Sequence, residues 1–177
     1  MGDWVNNVLM PVLGTVTAIL IWIVSIDEIR VAREKQDIGD LDPVPFVVGL
    51  ASCISWTMYA SCIRDWYVFW SNFPGDILMT FYVISILRIV YRNTYRHPER
   101  FHKYERAERL FLGFIFLFSC VPLLVIVVDD ADKTSNAIGM LSTAMNLLFY
   151  IAPCTVVVKV FRTKDASALF LPMLLAN

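Results

Sequence analysis

Across its 177 residues the chain has only two histidines and four cysteines. His97 and His102 share one basic segment, and neither has a metal-ligand partner at helical spacing. Cys53, Cys62, Cys120 and Cys154 all fall inside apolar runs without paired spacing, so neither a zinc site nor a disulfide framework is suggested. A packing role is expected for them. Glycine-rich phosphate loops, HExxH and nucleophile-elbow motifs are missing, which removes the usual grounds for an enzyme or an ATP-driven machine. No cofactor is expected. Asp129, Asp130 and Asp132 form an acidic cluster, read as an acidic extracellular turn rather than a divalent-cation site. There is no Asn-x-Ser/Thr acceptor and no Pro-Gln dipeptide.

Charge is what the chain lacks most, and it lacks it in blocks. Trp4 to Ile26, Val44 to Ile63, Leu110 to Val128 and Thr134 to Val158 carry none, and Trp66 to Leu87 carries only Asp76. A helix needs roughly 20 apolar residues to cross about 30 Å of hydrocarbon. Hydrophobic residues make up 58% of the chain, above the roughly 45–50% of soluble domains. A soluble helix keeps a polar face every 3.6 residues, and these runs keep none wide enough to face water. A barrel would need strict alternation, which is absent. The sequence predicts an all-α transmembrane protein. The first run has no basic leader and exceeds a signal-peptide core, so it is expected to remain as a helix.

Cations report orientation. The first connection holds Arg30, Arg33 and Lys35, the third Arg88, Arg92, Arg96, Arg100, Lys103, Arg106 and Arg109, and the fifth Lys159, Arg162 and Lys164. The second and fourth hold one each, Arg64 and Lys133. This alternation places odd connections in the cytoplasm and the N-terminus outside. The basic stretch also carries Glu99, Glu105 and Glu108, so orientation explains it better than a lipid-headgroup or nucleic-acid patch does. No nucleic-acid partner is expected.

A weak internal match relates Pro45-Phe46-Val47-Val48-Gly49-Leu50-Ala51-Ser52 to Phe170-Leu171-Pro172-Met173-Leu174-Leu175-Ala176-Asn177. Both stretches follow a polar cytoplasmic turn and open a helix. Two triple-helix repeats joined by one extra helix would run parallel, an architecture of transporters that hold substrate near the midplane. The expected organisation is a first repeat over 5–93 (helices 5–27, 44–63 and 66–90) and a basic linker over 94–109. A linker helix over 110–128 leads to an incomplete second repeat over 134–177 (helix 135–160, next helix starting at 166).

Three stretches resemble the SWEET family of sugar facilitators. Pro45-Phe46-Val47-Val48-Gly49-Leu50 leading to Trp56 and Tyr59 is similar to its second-helix pattern. Asn72-Phe73-Pro74-Gly75 with Tyr82 is similar to its third-helix pattern. Tyr150-Ile151-Ala152-Pro153 followed by Val160-Phe161-Arg162-Thr163-Lys164 is similar to its fifth-helix pattern. The resemblance implies a 3+1+3 bundle of which about five and a half helices are present, the rest lying beyond Asn177 in a C-terminally truncated chain. It implies downhill, bidirectional uniport of mono- or disaccharides by alternating access in the plasma membrane or an internal membrane. It also implies a homo- or hetero-oligomer. Sugar-contacting positions carried over are Asn72, Ser52, Trp56, Asn146, Phe149 and Asn177, with hinge prolines at Pro45 and Pro153. Ser25 and Phe170 stand where the family has two further prolines, and Phe73 replaces the glycine after the third-helix asparagine.

The residue types suit a neutral polyol. An amide such as Asn72 offers both donor and acceptor without the cost of burying an ion, and Trp56, one turn beyond Ser52, offers a stacking plane with one N–H. An intramembrane Asn is also a common interhelical contact of about 0.6 kcal/mol, and a lone Trp is often packing or an interfacial anchor. Asp76, one turn beyond Asn72, is read mainly as a structural residue near the outer end of its helix, with proton coupling as the rival. The alternatives to a sugar carrier are a truncated, non-transporting partner subunit and a Pro-Gln-type carrier of another small solute. The missing dipeptide counts against the last.

Overall fold

The computed structural model describes residues 4–39, 41–93, 101–127 and 130–163. Five helices carry nearly all of them: α1 (Val5–Lys35), α2 (Val44–Ile63), α3 (Trp66–Asn93), α4 (Phe101–Val127) and α5 (Ala131–Thr163). The protein is all-helical, with no strand among the described residues. Among the described residues, three helices, Val5–Lys35, Val44–Ile63 and Trp66–Arg92, are long and apolar enough to cross a membrane.

Helix α1 opens with a π-helical turn, Val5–Leu9, and runs as a regular helix through Met10–Val24 without one buried residue. Such a bare apolar cylinder suits lipid. The helix breaks at Ser25, which is itself buried, and resumes as Ile26–Lys35. This second part has an altogether different composition. Asp27 and Glu28 sit in its first turn and Arg33 and Lys35 in its last, complementing the helix dipole, while Ile29 and Ala32 turn inward. Gln36, in the left-handed region at φ 50°, ends it.

Helical structure therefore extends past the uncharged runs. The first helix reaches Lys35 rather than residue 27, and α4 begins at Phe101, inside the basic segment. Charge marks where hydrocarbon ends, whereas a helix can continue into water if an apolar stripe still packs. Ile29, Ala32 and Ala107 supply that stripe and belong to the main core.

Short, well-capped turns fix the neighbours. Arg64, left-handed at φ 57°, closes α2. Asp65 Oδ1 then accepts from the Tyr67 and Val68 amides at 2.9 and 3.2 Å, satisfying donors that the first turn of α3 leaves open. Asp130 plays the same part for α5, accepting from the Asp132 and Lys133 amides at 3.1 Å each and pairing with Lys133 Nζ at 2.9 Å. The hydrogen bonds from Lys133 hold the Asp130 carboxyl below its ordinary range.

Within the triplet, α3 lies between α1 and α2. It runs parallel to α1: Thr15 meets Ser71 at 3.1 Å, and further along Gln36 accepts from Arg92 at 3.3 Å. Tyr82 OH, on α3, donates to the Trp22 carbonyl at 2.9 Å, three residues before the Ser25 break. The core joining the lower parts of α1, α2 and α3 is built from Ile29, Phe46, Val47, Tyr82, Val83 and Ile86. A smaller cluster of Ala51, Phe118, Val121, Ile138 and Met145 joins α2 to α4 and α5. Helix α2 is thus the hub, with α3 on one side and α5 on the other.

Candidate substrate site between the second and fifth helices

The α2–α5 contact is a ladder of small residues. Tyr59 packs on Gly139, Ser142 Oγ donates to the Ser55 carbonyl at 2.8 Å, Ser52 Oγ lies 3.5 Å from Asn146 Oδ1, and Phe149 packs on Gly49. Each step of three or four residues down α2 is a step of three or four up α5, so the helices are antiparallel. Small residues allow this approach: a Cβ on Gly139 would stand 2.9 Å from Tyr59 Cε2, and one on Gly49 would stand 3.0 Å from Phe149 Cε2. Lipid offers no hydrophobic drive between helices, so close packing and interhelical hydrogen bonds hold them together.

Three of the sequence-derived site residues meet at one end of this ladder. Ser52 and Phe149 are buried, and Asn146 is partly buried between them. The Ser52–Asn146 contact sits at the outer limit of a hydrogen bond, too long to hold either group firmly. Asn146 forms no other side-chain hydrogen bond among the described residues, so its amide keeps donors and acceptor capacity for something else. Trp56 lies one turn further along α2, partly buried, its ring edge-on to Tyr59 at 5.7 Å between centroids. Its indole N–H makes no hydrogen bond among the described residues.

Among the described residues no hydrogen bond joins Asn72 to this group. Its Nδ2 donates to the Val68 carbonyl at 2.9 Å, within its own helix. Asn177 lies outside the described residues, as does the side chain of Pro153, whose backbone is helical in α5. Pro45 stands in the first turn of α2, where a missing N–H costs no bond. Pro74 in α3 and Pro122 in α4 lie inside helices, as Pro153 does in α5.

Trp22 on α1 joins the site from the far side, and sequence reasoning passed over it. Its ring stands 6.3 Å from that of Phe149, and its Nε1 donates to the Ser71 carbonyl at 3.0 Å. That carbonyl is next to Trp70, the one Pro74 cannot bond to. Gly75 leaves the space for the indole: a Cβ there would come within 3.0 Å of Trp22 and 2.9 Å of Cys53 Sγ. The pattern Pro74-Gly75 was the available signal that a neighbour approaches α3 here, though not which one.

A separate cavity of about 280 Å³ opens between α2 and α4, lined by Leu50, Ile54, Phe111, Phe114 and Phe118 among others. It has no polar grouping suited to a sugar.

Residues 8–94 match the family model described as "Sugar efflux transporter for intercellular exchange". The chain is 22% identical to "Sugar transporter SWEET1" of Dictyostelium discoideum, across 97% of its own length and 76% of the relative's. It is 22% identical to "Sugar transporter SWEET1" of Drosophila pseudoobscura pseudoobscura, covering 80% of this chain and 58% of that one. "Bidirectional sugar transporter SWEET15" of Oryza sativa subsp. japonica is 24% identical, over 93% and 49% respectively. By these similarities the chain resembles the SWEET family, over α1 to α3 by the family model and over most of its length by the relatives. It spans about half to three quarters of the length of these curated relatives.

With its membrane-spanning helices and its similarity to these transporters it is a multi-pass membrane protein, and its departures from the SWEET pattern acquire structural meaning. Ser25 replaces a proline of the first helix, yet α1 still breaks there, with Ser25 at φ −79°, ψ −2°. Pro74 enters beside Asn72 and brings a proline into the interior of α3, where the resemblance placed none. The family match covers α1 to α3, so Asn146 and Phe149 on α5 rest on the motif around Pro153 and on the ladder itself.

Proposed function

We propose that this chain carries a neutral sugar across a membrane by facilitated diffusion. Helices on either side of α2 would rock to open the site alternately to the two faces. The observation that carries this reading is the Ser52–Asn146–Phe149 cluster. Two uncharged polar side chains, weakly engaged with each other, stand beside an aromatic ring on antiparallel helices. A sugar requires that combination of exchangeable hydrogen bonds and flat apolar surface. Trp56 and Asn72 are proposed as further contacts that turn toward substrate during the cycle, since the Trp56 N–H makes no hydrogen bond among the described residues. Phe149 would limit cavity width and favour a monosaccharide. Flexing at Pro45 and Pro153 would accompany the rocking. The plasma membrane, with the N-terminus outside, is the proposed setting, and assembly with further copies or with longer relatives is the proposed state.

One observation favours a second reading, a non-transporting subunit of such an assembly. The Asn72 amide donates within its own helix, and no hydrogen bond joins it to the other site residues among the described residues. Radiolabelled glucose uptake in cells lacking hexose carriers separates the two. Uptake that Asn146→Ala and Asn72→Ala abolish supports the carrier. A well-expressed, surface-exposed chain that moves no glucose refutes it and leaves the subunit.

A further inference from the structure

Asp76 is the one charged residue between Trp66 and Leu87. Ten residues into α3, it lies about 15 Å from the helix start at 1.5 Å per residue, deep in the span. Its Oδ1 is buried without a hydrogen-bond partner, and so is Thr57 Oγ1 on the facing helix α2. The two side chains stand beside each other, but no hydrogen bond of acceptable geometry closes between them. Cys53, one turn before Thr57, packs against Gly75, the neighbour of Asp76. No cation among the described residues forms an ion pair with Asp76.

Membrane interiors tolerate such groups where they line a path or a ligand cavity. Packed side chains join Asp76 to the candidate site. Gly75, next to Asp76, carries the Trp22 indole and Cys53 Sγ against its backbone, and the other side of Trp22 looks onto Phe149. We propose that Asp76 and Thr57 form a hydroxyl-recognition pair that sets which sugar is accepted. The two carboxylate oxygens accept from a vicinal pair of hydroxyls, a geometry a diol matches, and Thr57 contributes its hydroxyl to a neighbouring sugar oxygen. This rests on the sugar-carrier reading and names the part of the site that discriminates among polyols.

The test is equilibrium binding of D-glucose and its monodeoxy analogues to the purified full chain in detergent. Wild type is compared with Asp76→Ala, Asp76→Asn and Thr57→Val. Charged hydrogen bonds predict that Asp76→Ala weakens glucose about ten-fold or more. The analogue lacking the recognised hydroxyl should bind Asp76→Ala and wild type within about two-fold. Asp76→Asn, which keeps one acceptor oxygen and the size, should fall between, and it carries the test with Thr57→Val where the alanine variant does not fold. Equal weakening across the whole sugar panel would mean a structural role and overturn the inference. Wild-type glucose binding that all the variants leave unchanged overturns this inference alone. Wild type binding no sugar overturns it together with the carrier reading.

Discussion

Substituting Gly75 by alanine tests the packing around α3 most sharply, because opposing effects can be weighed. Replacing a helical glycine by alanine ordinarily favours the helix by about 1 kcal/mol. At Gly75 the new Cβ would meet Cys53 Sγ at 2.9 Å and Trp22 Cε2 and Nε1 at 3.0 Å. Those atoms belong to two different helices, so relief requires α1 and α2 both to shift. Overpacking of this kind costs about 1–3 kcal/mol. Moving the indole also strains its 3.0 Å bond to Ser71 O, a further loss of about 0.5–1.5 kcal/mol. Destabilisation of roughly 1–3 kcal/mol net is expected, a clear fall in melting temperature by fluorescence in detergent. Gly14 and Gly113 provide the contrast, since a Cβ at either meets nothing within 4 Å. Alanine there should leave melting unchanged or raise it. In a Trp22→Leu background the penalty at Gly75 should shrink, which a double-mutant cycle reads directly. If Gly75→Ala melts no lower than Gly113→Ala, the close approach of Trp22 to α3 is refuted.

Other expectations follow from single contacts. Tyr82→Phe removes the donor to Trp22 O and should lower stability by about 0.5–1.5 kcal/mol, with an unchanged melting curve counting against the α1–α3 link. Ser142→Ala should cost only about 0.6 kcal/mol, whereas Ser142→Leu, at a position with 0% exposure, should separate α2 from α5 and abolish folding. Asp130 has a lowered folded-state pKa, so its contribution is present above the ordinary carboxylate value of about 3.9 and is lost only as pH falls through the lower value. The Asp132 and Lys133 amide resonances should therefore titrate below that value, and a midpoint at or above it would refute the cap. Cys62 is exposed at the C-terminal end of α2 while Cys53 is buried. A membrane-impermeant maleimide applied to intact cells should label a variant retaining Cys62 alone and spare one retaining Cys53 alone. Labelling of Cys62 only after permeabilisation would reverse the proposed orientation.

Length and charge were enough to establish that helices span a membrane, because backbone groups in hydrocarbon leave no other choice and ions mark its edges. They could not show where helices end in water. Ile29, Ala32 and Ala107 continue the helices inside charged segments, a matter of which neighbours they meet. The motif resemblance reached from the second helix to the fifth, and it implied Asn146 and Phe149 as sugar-contacting positions before Pro153. That these two meet Ser52 and Gly49 depended on the antiparallel register of α2 against α5, set by small residues at Gly49, Ser52, Gly139 and Ser142. No run of apolar residues encodes that register, since in lipid every face of such a helix reads alike. The tertiary structure likewise brought Trp22 in through the gap at Gly75. Pro74 beside Asn72 was visible in the chain from the start. Only the packing of α1 against α3 decided what filled the space it opened.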